Sequence, residues 1–325
     1  MPTLPFTFLG EDDFLPAMEG PCKAWREANV EHGFFGSFDG ARIHYYHAAP
    51  PEPKACITII PGFCEFYGKY HELTWYFYQA GYAFYFIENR GHGYSARETE
   101  ELVVVHIDSV MTYAKDLKEF LDKVVTPGSK DLKKILWAHS MGGGISTLFL
   151  ETYPDYFDAA ILNSPMLKIK GIKSPEQIKE LRREMEEDHS EKALAAGQKH
   201  FSTEPDFEGS STQSKPRFDY VFAQRLADPH YQTKGGSNNW CVACGEVHET
   251  IMENAAKIQI PLVINTAGLD HLIDPEGYRE FRERATCNPQ ITNYEASKHE
   301  LISAEEETRK AYLTKLFETL EQFTS

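Results

Sequence analysis

The chain has 325 residues, of which 42% are hydrophobic and 13% aromatic, and it carries a formal net charge of −16. Its apolar content is enough to bury a sizeable core without metals or disulfides, while the acidic balance disfavours nucleic acid and anionic lipid surfaces as partners. Six cysteines, at 22, 56, 64, 241, 244 and 287, are too sparse for a disulfide scaffold and fit a reducing compartment.

Residues 1–20 show no basic segment followed by an apolar run, so no signal peptide is expected. The apolar stretches are strand-sized, short of the roughly 20 residues of a membrane span. A soluble, cytoplasmic protein is the expectation.

The first clear element is a hairpin. Residues 32–38 and 41–47 are rich in aromatics and flank Asp39-Gly40, a two-residue turn signal. Strands and helices then alternate. Residues 55–60 form a short apolar run stopped by Pro61-Gly62, as expected of a buried parallel strand. A helix over 73–80 ends at Gly81, and residues 82–87 read as the next strand. Between 108 and 125, Val110, Ala114, Leu117, Leu121 and Val124 line one helical face. A strand over 134–138, a helix over 144–152 and a strand over 159–162 follow.

From 166 to 245 no core strand is evident. A charged helical stretch (175–200) leads into a polar segment (202–215) and then further helix. This region reads as a cap inserted into a core made of residues 1–165 and 246–325. Strands over 261–265 and 291–294 complete the sheet. The last helix is expected to open with Ser303 and Glu306 at capping-box spacing and to bury Leu313, Leu316, Phe317 and Leu320. Strand–helix alternation of this kind implies an α/β fold with a mostly parallel sheet covered on both faces.

The chemistry centres on Ala138-His139-Ser140-Met141-Gly142, where a buried strand hands over to a helix. A serine on such a strained turn is pushed out of the sheet as a nucleophile, and its neighbours two residues away must be small. A serine hydroxyl needs a base. Of thirteen histidines, His299 alone lies between the final strand and the final helix, at the carboxyl end of the sheet. The acid should follow the strand over 261–265, in the order Ser…Asp…His. Asp270 is the favoured candidate, and Asp274, four residues on, could instead cap the next helix. The oxyanion donors are expected to be the backbone N–H groups of Met141 and Phe63. Cys241-Val242-Ala243-Cys244 matches C-x-x-C, but no second pair stands at zinc-site spacing, so neither metal nor cofactor is expected.

Pro61-Gly62-Phe63-Cys64-Glu65-Phe66-Tyr67-Gly68-Lys69-Tyr70, Glu88-Asn89-Arg90-Gly91-His92-Gly93-Tyr94-Ser95, His139-Ser140-Met141-Gly142-Gly143, Gly268-Leu269-Asp270-His271-Leu272-Ile273-Asp274 and Lys298-His299-Glu300-Leu301 together resemble the motifs of one family. It is the monoglyceride lipase and bacterial lysophospholipase branch of the α/β-hydrolases, similar to the serine aminopeptidase S33 hydrolases. The resemblance extends from residue 32 to the C-terminus. It implies the α/β-hydrolase fold with an N-terminal antiparallel hairpin and a helical cap, and it implies Asp270 as the acid. Pro61, Ala138 and Glu88 depart from the usual histidine, glycine and aspartate without removing a catalytic group.

A serine carboxylic-ester hydrolase acting through an acyl-enzyme is therefore expected, with a monoacyl lipid (a lysophospholipid or a monoacylglycerol) as small-molecule substrate. Transient contact with a membrane surface is compatible with this reading, and the oligomeric state is left open. A peptidase or amidase, proline iminopeptidase-like, would use the same triad. A catalytically dead binding protein would have no use for it.

Overall fold

The computed structural model describes residues 4–171 and 174–325. Two short helices, α1 (Glu11–Glu19) and α2 (Pro21–Asn29), precede the hairpin and were not legible as amphipathic elements. Pro16 inside α1 and the Gly20-Pro21 junction break their pattern. The hairpin is β1 (Glu31–Gly36) and β2 (Arg42–Ala48), paired antiparallel. Its connection is longer than the two-residue turn expected at Asp39-Gly40. Residues 37–41 form the loop, closed by a Ser37 N–H to Ala41 carbonyl bond of 2.8 Å. Asp39 is drawn outward to the buried Arg90 guanidinium, 2.7 Å away.

The chain continues through β3 (Cys56–Ile60), α3 (His71–Gln79), β4 (Ala83–Ile87), the short β5 (Val104–Val105) and α4 (Val110–Phe120). The turn α5 (Thr126–Gly128), β6 (Lys134–His139), α6 (Met141–Thr152) and β7 (Ala159–Asn163) come next. Then follow α7 (Pro175–Glu187), α8 (Lys215–Ala227), the short β8 (Gly235–Gly236) and α9 (Asn238–Asn254). The chain closes with β9 (Leu262–Ala267), α10 (Pro275–Arg284), β10 (Gln290–Tyr294) and α11 (Glu306–Thr324).

Eight strands form one sheet in the order β1-β2-β4-β3-β6-β7-β9-β10, parallel from β4 to β10. Strands β3, β4, β7 and β9 are buried along their whole length, which is why they read as continuous apolar runs rather than alternating ones. One face packs under α4, α6, α9 and α10, with Val110, Leu117, Ile145, Phe149, Ile251 and Phe281 in its core. The other packs under α3 and α11 through Tyr76, Phe77, Leu313, Leu316, Phe317 and Leu320. Because His139, Asn163 and Asn265 stand in register across β6, β7 and β9, the loops leaving these strands emerge together at one edge.

Three expected boundaries change. The helix expected over 175–200 ends at Glu187, and His189 then takes a left-handed conformation. The final helix starts at Glu306, capped by the Glu305 carboxylate rather than by Ser303. Ser303 belongs to a preceding single turn, and its carbonyl accepts the Gln213 and Ser214 N–H groups at 2.8 and 3.0 Å. The core–cap boundary expected at 245 falls inside α9, which runs unbroken from Asn238 to Asn254 with Ser237 as its cap.

Candidate active site

Ser140 joins β6 to α6 with φ 53° and ψ −120°, in the left-handed region that a non-glycine residue rarely occupies. The surroundings hold it there. Its N–H donates to the Asn163 carbonyl at 3.0 Å, and its own carbonyl accepts from Gly143 at 2.8 Å and from Met166 at 2.9 Å. Gly142 allows the close approach of α6 to β3, since a Cβ there would lie 2.2 Å from the Ile60 carbonyl oxygen. Ala138 is accommodated fully buried, so the methyl that replaces the usual glycine finds room.

His299 lies on the loop between β10 and α11. Its Nε2 is 2.8 Å from Ser140 Oγ, and its Nδ1 is 2.7 Å from Asp270 Oδ2. The other carboxylate oxygen of Asp270 accepts the Leu272 and Ile273 N–H groups at 2.8 and 3.1 Å. Asp274, the rival candidate, accepts the Glu276 N–H at 3.0 Å and caps α10. The structure thus brings Ser140, His299 and Asp270 into one hydrogen-bonded line and leaves Asp274 outside it.

Electrostatics follow from burial. Burial pushes the Asp270 carboxyl up, but the His299 hydrogen bond and the two backbone donors outweigh it and hold the group below its ordinary value. Burial likewise holds the His299 imidazole below its ordinary value, with the Asp270 hydrogen bond opposing it.

Met141 is the first residue of α6, so its N–H has no acceptor within the helix, and the helix N-terminus favours negative charge there. Phe63 follows Gly62, and its ring stacks on Trp240 with centroids 4.0 Å apart. The Pro61 carbonyl is fixed by Asn89 Nδ2 at 3.0 Å. A cavity of about 460 Å³ lies against Trp240, lined by Ile169, Ile178, Leu181 and Met185 and by the polar Lys170, Glu184, Asp188 and Gln198; none of Ser140, Asp270, His299, Met141 and Phe63 lines it. The segment forming one wall is tied to the acid loop, with Ile169 paired to Ile273 and the Lys170 ammonium on the Asp270 carbonyl. Cys244 also lines the cavity, and all six cysteines are free thiols.

Sequence reasoning did not single out Ser164, His139 or Glu300. Ser164 Oγ donates to the His299 carbonyl at 2.9 Å. His139 approaches the same carbonyl, and Glu300 pairs with Lys69 at 2.7 Å. Glu65 and Lys69 stood inside the quoted 61–70 motif, His139 inside 139–143 and Glu300 inside 298–301, whereas Ser164 stood in none.

The profile of the family described as "Serine aminopeptidase, S33" matches residues 51–307. The chain belongs to this family of hydrolases. Lysophospholipase L2 of Escherichia coli (strain K12) is 27% identical over 280 residues, covering 85% of this chain and 81% of the relative. The monoacylglycerol lipase of Mycolicibacterium smegmatis is 25% identical over 282 residues, 85% of this chain and 92% of the relative. Among solved structures, a carboxyl esterase from Bacillus coagulans superposes with a TM-score of 0.74 at 17% identity, over 91% of this chain and 99% of the other. A soluble variant of the Saccharomyces cerevisiae monoglyceride lipase gives 0.71 at 17% identity, over 91% and 96%. These likenesses establish the α/β-hydrolase fold. Among the described residues, no helix is long and apolar enough to cross a membrane.

Proposed function

We propose that this hydrolase cleaves a single-chain lipid ester through an acyl-enzyme on Ser140. The hydrogen-bonded line from Ser140 through His299 to Asp270, at 2.8 and 2.7 Å, carries the reading. In it, His299 takes the proton of Ser140 as the hydroxyl attacks the ester carbonyl, then returns it to the leaving alcohol. Asp270 holds the imidazole with its Nδ1–H inward. The N–H groups of Met141 and Phe63 receive the oxyanion, and water repeats the sequence on the acyl-enzyme.

One observation supports a lipid substrate: the relatives are a lysophospholipase and a monoacylglycerol lipase. The insertion after β7 serves as the cap, because it reaches the oxyanion turn through Trp240 on Phe63 and Tyr231 on Phe66. Six free thiols favour the cytoplasm as its location.

The test is kcat/KM across acyl lengths for monoacylglycerols and lysophospholipids, beside aminoacyl amides. Each buried methylene contributes about 0.8 kcal/mol, so kcat/KM should rise with chain length until the substrate pocket is full. A fluorophosphonate probe should label the wild type and not Ser140→Ala. No gain with length, or a preference for the amides, would favour an aminopeptidase instead.

A further inference from the structure

The loop that carries His299 is held from two sides. Residues 295–300 connect β10 to the single turn Leu301–Ser303. The core holds two carbonyls of this loop: that of Ser297 accepts the Leu269 N–H at 2.9 Å, and that of His299 accepts from Ser164 Oγ at 2.9 Å. Ala296, Lys298 and Glu300 bond the other way, to residues 212–214 of the insertion after β7.

Gln213 meets the first two with one side chain. Its Nε2 donates to the Ala296 carbonyl at 2.9 Å, and its Oε1 accepts the Lys298 N–H at 2.8 Å. Such a pairing needs a donor and an acceptor on one rigid plane, which a side-chain amide supplies. Turned round, the amide would set donor against donor and acceptor against acceptor, so its orientation is fixed. Beyond His299, the Gln213 and Ser214 N–H groups both donate to the Ser303 carbonyl, at 2.8 and 3.0 Å. The chain is therefore gripped on both sides of the base. Thr212 Oγ1 adds a bond of 2.5 Å to the Glu300 carboxylate, whose other oxygen pairs with Lys69.

Residues 202–214 form neither helix nor strand, so the clamp needs an anchor of its own. It has one. Ser214 is buried, and its hydroxyl donates to the Glu11 carboxylate at 2.7 Å. Arg217, in the first turn of α8, is buried too and forks onto both oxygens of Glu72 in α3, at 2.8 and 2.7 Å. This end of the insertion is fastened to α1 and α3.

We propose that Gln213 is a positioning residue for the general base: it clamps the His299 loop from the cap side and sets where the imidazole stands against Ser140. The insertion is then a wall of the catalytic relay as well as its cover, and any displacement of residues 212–214 reaches the base directly.

This inference rests on His299 being the general base, and the experiment separates the two. kcat and KM are measured on a short p-nitrophenyl ester for the wild type, Gln213→Ala, Gln213→Glu, His299→Ala and the double variant Gln213→Ala with His299→Ala. In Gln213→Ala, kcat should fall about 10- to 100-fold with KM within about threefold, as misplacement of a reacting group requires. Gln213→Glu keeps the size of the side chain and the acceptor for Lys298, but sets an oxygen against the Ala296 carbonyl. It should lose about as much, and wild-type activity there would leave Gln213 a packing role and overturn the proposal. A loss that passes through His299 should vanish in the His299→Ala background, because groups acting as a unit are not additive. A kcat within about threefold of wild type in folded Gln213→Ala, or a loss that persists in that background, overturns the proposal. In either case an inactive His299→Ala leaves the base assignment standing. Full activity of His299→Ala would overturn both. Should neither Gln213 variant fold, hydrogen exchange of the wild type decides. The Lys298 amide, donated to the Gln213 side chain, should be protected, and exchange at the rate of a free amide overturns the proposal.

Discussion

Gly142→Ala tests whether the site depends on the close approach of α6 to the end of β3. A methyl at this position would stand 2.2 Å from the Ile60 carbonyl oxygen and 2.6 Å from that of Pro61. Ordinary contact begins near 3.4 Å, so one side must retreat by about 1.2 Å. Neither obstacle is a flexible tip. Ile60 ends a strand paired on both sides, with Ala138 as its partner in β6, and the Pro61 carbonyl is held by Asn89.

The retreat must therefore widen the gap between Ser140 and the 61–63 turn, where the proposed oxyanion donors converge. A misplacement of about 1 Å at reacting groups costs about 100-fold in rate, or ~2.7 kcal/mol of transition-state stabilisation. Overpacking adds about 1–3 kcal/mol of lost stability. Expected for Gly142→Ala are a kcat about 100-fold lower on a short p-nitrophenyl ester, an equally slowed fluorophosphonate reaction and a cooperative melt at reduced Tm. A rate within threefold of wild type, with cooperative unfolding retained, would refute the close-packing argument.

Asp270→Asn should lower kcat by about 10³–10⁴-fold, because the amide fixes the wrong imidazole tautomer. Asp274→Asn should leave kcat within about twofold, since asparagine caps a helix as well as aspartate does; comparable losses at the two positions would remove Asp270 from the relay. Only neutral His299 can act as base, so activity should be full at higher pH and fall as pH drops through the folded-state value. Burial sets that value below the ordinary 6.5, and an acid limb of kcat/KM above 6.5 would contradict it. Glu151 on α6 is buried with both carboxylate oxygens unpartnered, and burial pushes it up to about 9. Between the ordinary 4.5 and that value the unfolded chain is ionised and the folded one protonated, so stability should fall with rising pH by up to about 1.4 kcal/mol per unit. Chemical denaturation across pH 5 to 9 should show this slope in the wild type and its loss in Glu151→Gln; equal slopes would exclude Glu151 as the cause.

Much of the site was legible in the chain because its signals are local. A strand-sized apolar run, a serine and then glycines mark the turn at Ser140 whatever lies elsewhere, and strand order alone placed Asp270 and His299 on loops at the same sheet edge. The same local logic misled at Ser303, whose spacing to Glu306 suits a capping box although its carbonyl instead receives the 213–214 backbone. It also missed α1 and α2, whose proline and glycine hide a helical pattern that packing stabilises. The contacts that support the triad were not legible, although Glu65, His139 and Glu300 stood inside quoted motifs. Glu65 meets His139 across 74 residues, and Ser164 meets His299 across 135. Such pairs exist because parallel strands bring their carboxyl ends into register, and register across a sheet is set by packing of the whole fold rather than by any window of sequence. The motifs thus named Ser140, Asp270 and His299, while only the tertiary structure could bring them into one hydrogen-bonded line and place the His139 ring beside that of His299.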